Sequence, residues 1–125
     1  MNIISARNVH RAYLLVEAPM GQDLISDIAD FREMTIGSVQ ARWEDNDAAD
    51  GKLILQASNV PDEAWFDDME CADVILDDDN SQFGKRKTKL FNLSIIGFRY
   101  VRVRYLKGSN TQGKITVFAV GKKNG

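Results

Sequence analysis

A chain of 125 residues, 44% hydrophobic and 27% charged, has the length of one domain and enough apolar content for a core, which excludes a disordered segment or a multidomain array. Its formal charge of -2 conceals a division: Glu44 to Asp79 holds thirteen acids and one base, Lys52, whereas Asn80 to Gly125 holds eleven bases and no acid. These segments either pair inside the domain or stand on opposite surfaces that meet copies of the chain or a partner. A single histidine, His10, and a single cysteine, Cys71, exclude a zinc cluster, an intrachain disulfide and a histidine triad built by one chain.

In chain order, Met1 to Arg11 is polar and reads as an arm or a first strand, with 12–125 as a single β-sandwich domain. It forms no apolar signal-peptide core, and no stretch approaches the roughly 18 apolar residues of a membrane span. The expectation is a chain made in the cytoplasm and not inserted in a membrane. Ala12–Val16 is a short strand ended by Ala18-Pro19. From Gln22 to Phe31, Leu24, Ile28 and Phe31 recur at i, i+4 and i+7, which suits either a short helix or a strand and loop. Thr35–Trp43 alternates, with Val39, Ala41 and Trp43 on one face; Lys52–Ser58 alternates with Leu53, Leu55 and Ala57 inward. The two are expected to form a hairpin around the acidic loop ending in Asp50-Gly51.

A short helix is conceivable over Asp62–Met69, followed by a strand over Ala72–Leu76 and solvated loops over 77–81 and 84–88. Leu90–Ile96 puts Phe91, Leu93 and Ile95 in a core. Phe98 to Val120 reads as a long antiparallel hairpin, two β-rich runs flanking the glycine-bounded linker Lys107–Gly113. Val101, Val103 and Tyr105 share one face and Arg102 and Arg104 the other; Ile115, Val117 and Ala119 share a face in the second run. The sum is an all-β protein, an antiparallel β-sandwich or jelly roll of about seven or eight strands.

No catalytic motif stands out, and no metal site or cofactor is expected. Asp77-Asp78-Asp79-Asn80 has calcium-type ligands but not the EF-hand spacing, so a surface turn is the expectation; carboxylate pairs such as Asp67 and Glu70 are what chance gives in so acidic a segment. Cys71 is expected as a small buried residue. Arg99, Arg102 and Arg104, with Lys85 to Lys89 nearby and Tyr100 to stack a base, could follow a phosphate backbone, but the acidic balance of the chain opposes a nucleic-acid partner. The three arginines better suit ion pairs with a protein partner or between subunits, with Asp45 and Asp47 in the 44–50 loop and Asp78 in the 77–80 loop as the opposite pole. Alternatively, Trp65, beside a polar turn, and Tyr100 supply the aromatic platform of a carbohydrate-binding module.

Two segments, about half the chain together, carry resemblances. Gly51-Lys52-Leu53-Ile54-Leu55-Gln56-Ala57-Ser58-Asn59, then Trp65-Phe66-Asp67, resembles the strand and turn of discoidin-like β-sandwich modules, with Asn59 where Asp is commoner. The terminal disulfide of secreted discoidin domains has no counterpart here. Arg99-Tyr100-Val101-Arg102-Val103-Arg104-Tyr105, then Gly108 to Val117, resembles the closing hairpin of small virion structural proteins of tailed bacteriophages. That second resemblance implies a capsid decoration protein without an active site. Such a protein binds the major capsid protein or other virion proteins, resides in the virion, and is a homo-oligomer, a dimer or trimer.

Overall fold

The computed structural model of the chain describes residues 9–32, 34–76, 86–93 and 96–123. Among them nine strands run in chain order: β1 (Val9–Pro19), β2 (Leu24–Ile25), β3 (Ala29–Asp30), β4 (Ile36–Glu44), β5 (Gly51–Ser58), β6 (Asp67–Val74), β7 (Arg86–Leu93), β8 (Tyr100–Leu106) and β9 (Lys114–Lys122). One antiparallel sheet has the order β1-β9-β4-β7; the other has β2-β8-β5-β6, with β3 also on β8. The chain changes sheet at every link except β2–β3 and β5–β6, which is the interleaved topology of a jelly roll.

The alternation read from the sequence explains the core. Val39, Ala41 and Trp43 of β4, Phe91 and Leu93 of β7, and Ile115, Val117 and Ala119 of β9 are buried from one sheet. Leu53, Leu55 and Ala57 of β5, Val74 of β6, and Val101, Val103 and Tyr105 of β8 are buried from the other. Stacked sheets lie about 10 Å apart, so these two sets interdigitate into one cluster. Polar atoms entering it have partners: the Tyr105 hydroxyl donates to the Met20 carbonyl at 2.8 Å, and Trp43 Nε1 donates to the Ile75 carbonyl at 3.1 Å. Burial pushes the Tyr105 phenol up to about 12.

Three expectations need correction, and one open alternative is decided. Phe98–Val120 is not a hairpin: β8 and β9 lie in opposite sheets, and 107–113 arches across the end of the sandwich. Nor do β4 and β5 pair; 45–50 makes a second arch. In both cases the two runs turn their apolar faces towards each other across the core, which alternation alone does not distinguish from edge-to-edge pairing. Gln22–Phe31 takes the strand-and-loop alternative, because Ser26 extends the β8 ladder: Ser26 N donates to the Val103 carbonyl at 2.9 Å, and Val103 N donates to Ser26 Oγ at 2.8 Å. Cys71 is exposed, on the outer face of edge strand β6 opposite Ile54.

Smaller shifts occur as well. The 62–69 stretch holds one 3-10 turn, Glu63–Trp65, capped by Asp62 Oδ1 accepting from Ala64 N at 3.0 Å, before β6 begins. The strand placed at Ala72–Leu76 overlaps only the end of β6, which starts earlier at Asp67 and stops at Val74, and β7 starts at Arg86, inside the stretch expected as loop. His10 lies in β1, an edge strand. Most of the proposed arm, Ile95, and the 77–80 loop with Asp78 lie outside the described residues.

Candidate functional site

The acidic loop expected at one pole is engaged within the chain. Asp47 accepts from Thr111 N at 2.8 Å and from the Thr111 hydroxyl; Asp50 accepts from Ser109 N at 2.8 Å and from Ser109 Oγ at 2.6 Å. Between them Asn110 is fully buried, its Oδ1 accepting from Ala48 N at 2.8 Å and its Nδ2 donating to the Lys107 carbonyl at 2.8 Å. The two arches are thus bolted together. The Thr111 and Ser109 hydroxyls hold the Asp47 and Asp50 carboxyls below the ordinary 3.8. Asp45 is exposed with φ 62°, and its carbonyl accepts from Gln112 Nε2 at 3.0 Å.

The three arginines do not form one stripe. Arg99 grips Asp30 with two bonds, Nε to Oδ1 at 3.0 Å and Nη2 to Oδ2 at 3.1 Å, and this pairing lowers the Asp30 pKa. Arg102 is only 7% exposed. Its guanidinium lies over the Phe66 ring, 4.3 Å from the centroid, and its Nε donates to Gln56 Oε1 at 2.7 Å. Gln56 Nε2 in turn donates to Asp68 Oδ1 at 2.7 Å, and Glu63 Oε1 stands 3.7 Å from Arg102 Nη1. Arg104 alone of the three projects freely from the outer face of its sheet.

Trp65 is 66% exposed beside an open groove of about 400 Å³ lined by Ser58, Asn59, Asp67, Met69 and Phe98 among others. Tyr100 does not join it: it is half-buried, with the Arg99 guanidinium 4.9 Å from its ring centroid. A second aromatic surface was not read from the sequence. On the outer face of the β1-β9-β4-β7 sheet, the rings of Tyr13 and Phe118 stand 5.9 Å apart at 46°, above a groove of about 280 Å³ lined also by Gln40, Arg42, Thr88 and Thr116. Its signal was the other half of the β9 alternation: if Ile115, Val117 and Ala119 face in, Thr116 and Phe118 face out.

Among the described residues no group of three or more His, Cys, Asp or Glu side chains is placed to hold a metal ion, and no helix is long and apolar enough to cross a membrane. Fold and surfaces define an antiparallel β-sandwich module. No protein-family model matches the chain, and no curated protein matches its sequence. Among solved structures the fold is similar to the K1 cleaved adhesin domain of Lys-gingipain from Porphyromonas gingivalis W83, at 21% identity over 82% of this chain and 63% of that one, TM-score 0.51. It is also similar to Eiger TNF from S. frugiperda, at 8% identity over 93% of each chain, TM-score 0.50. The SPBc2 prophage-derived protein YomS aligns at 7% identity over 90% of this chain and 93% of that one, TM-score 0.49. The chain spans less than two thirds of the adhesin domain. At these identities the likeness is one of fold alone.

Proposed function

We propose that the chain is a non-enzymatic docking module of a virion, a decoration protein that seats between major capsid subunits and stabilises the shell. The observation that carries this reading is the distribution of exposed apolar side chains. Tyr13 and Val16 on β1, Ile25 and Ile28 around β2 and β3, Trp65 and Met69 near the 3-10 turn, Ile75 and Leu76 beyond β6, and Leu90 on β7 are all exposed. They occur in both sheets and in the links. Apolar surface in several places suits a block covered by neighbours from more than one side. The bolted arches and internal arginine pairs supply rigidity, and the resemblance of 99–117 to small phage virion proteins supports the same reading. Self-association into a dimer or trimer belongs to it.

The test is sedimentation of the purified protein with assembled, undecorated shells of its cognate virus and with the dissociated major capsid protein. Saturable binding to shells at a fixed ratio, and not to free subunits, is expected. No binding to shells overturns the proposal. A second reading, a carbohydrate-binding module, is favoured by the exposure of Trp65 over its groove. Trp43 is 2% exposed, so iodide-accessible fluorescence reports Trp65, and protection from iodide by a glycan would support that reading.

A further inference from the structure

We infer that the outer face of the β1-β9-β4-β7 sheet is a binding site for an acidic oligosaccharide, one bearing carboxylates. The site is separate from the Trp65 groove, and it stands whether or not the chain decorates a shell.

The ladder register builds the site. Tyr13 pairs with Phe118, Phe118 with Gln40, and Gln40 with Leu90, so one row crosses all four strands with aromatic rings at one end. Two residues along, Thr116, Arg42 and Thr88 form the adjoining row. Rows on one face of a sheet are about 6.7 Å apart, so a pyranose ring lying on Phe118 brings its hydroxyls over the polar row. The β1 register slips immediately after Tyr13 and again after Leu15, a bulge that re-aims the edge strand. Tyr13, 65% exposed, is tilted at 46° to Phe118, and the rings make an open V instead of a filled stack. The groove of about 280 Å³ is at the small end for ligand pockets and suits a short stretch of a longer chain.

The polar groups identify the occupant. The side chains of Gln40, Arg42 and Thr88 make no hydrogen bond or ion pair with any described residue. Thr116 Oγ1 accepts from Glu17 N at 2.9 Å, which leaves its own proton to donate outward. An amide, a guanidinium and two hydroxyls beside exposed aromatic faces match a ligand with many hydroxyls and an apolar ring face. Arg42 is the one charged residue lining the groove, and its planar fork fits a carboxylate. A nucleic-acid strand fits less well: Arg42 is the one cation lining the groove, so it can meet a single anionic group but not a run of successive phosphates.

The experiment is calorimetric titration of the intact protein with a panel of uronate- and sialate-bearing oligosaccharides, neutral oligosaccharides of the same length, and oligothymidylate. Binding of at least one acidic glycan, about tenfold tighter than its neutral counterpart, is expected. Arg42→Gln should abolish that preference, and Tyr13→Ala should weaken both about tenfold. Tyr13, Arg42 and Trp65 are all exposed, so unchanged unfolding midpoints are the control for folding. No acidic glycan bound overturns the inference. So does binding lost in Trp65→Ala but kept in Tyr13→Ala, which returns the sugar to the Trp65 groove. Steeply salt-dependent binding of oligothymidylate in place of glycans, lost in Tyr13→Ala, overturns it in favour of single-stranded nucleic acid.

Discussion

Arg102 and Arg104 are two residues apart on one strand and share its outer face, yet they have opposite fates. Phe66, at the end of the 3-10 turn, lies against the Arg102 guanidinium, while Gln56 accepts its Nε–H; Arg104 has no such cover. Arg102→Ala removes a charge-assisted hydrogen bond and a cation–π contact, leaves Gln56 Oε1 short of a donor, and should cost about 2 kcal/mol. Arg104→Ala should change stability by less than about 0.5 kcal/mol. Urea unfolding of the two variants checks both. The sequence told which face each arginine takes, because alternation is local. It did not tell that a loop roofs one of them, because that depends on how the β5–β6 link folds back over the sheet.

At the scale of elements, strands were legible and their partners were not. The inward sets of β4, β5, β8 and β9 follow from alternation, and all are buried. The two expected hairpins are arches because the 45–50 and 107–113 links cross between the sheets, and no periodicity in the flanking runs records that. What did stand in the sequence was the chemistry of the crossing: Asp47 and Asp50 in one link, Ser109, Asn110 and Thr111 in the other. Gly108 adopts φ 57°, and a Cβ there would come 2.5 Å from Asp50 Oδ1. Because the folded-state pKa values of Asp47 and Asp50 lie below the ordinary 3.8, their stabilising contribution is fully present above that value and is lost as pH falls through the folded values. The unfolding temperature should therefore drop on acidification below about pH 4. The double variant Asp47→Asn, Asp50→Asn should start lower at neutral pH and show a shallower acid slope, the remainder tracing in part to Asp30, which Arg99 also depresses. A pH series of thermal melts measures both effects.

For the whole molecule, composition and alternation were enough for an all-β sandwich, but not for the surface that carries the most telling side chains. Tyr13, Phe118, Gln40 and Leu90 come from four strands spread along the chain, and only the order β1-β9-β4-β7 lines them up. Part of the acidic segment is engaged within the chain: Asp47 and Asp50 hold neutral hydroxyls and backbone N–H groups, and Glu63 faces Arg102 across the segments. β9 lies between β1 and β4, so the last strand is interior to its sheet. A chain ending after Gly113 should lack a cooperative thermal transition, where the full chain shows one, because β1 loses its ladder and the core loses Ile115, Val117 and Ala119. The same placement sets a clock on synthesis. While the nascent chain grows, β1 emerges first and has no partner until residues more than ninety positions later leave the ribosome, as Val9 pairs with Lys122. The strands β5, β6 and β8 can already pair with one another, and β4 with β7, but the core stays open where Ile115, Val117 and Ala119 will sit, so the interval before β9 joins is when exposed apolar surface most favours aggregation.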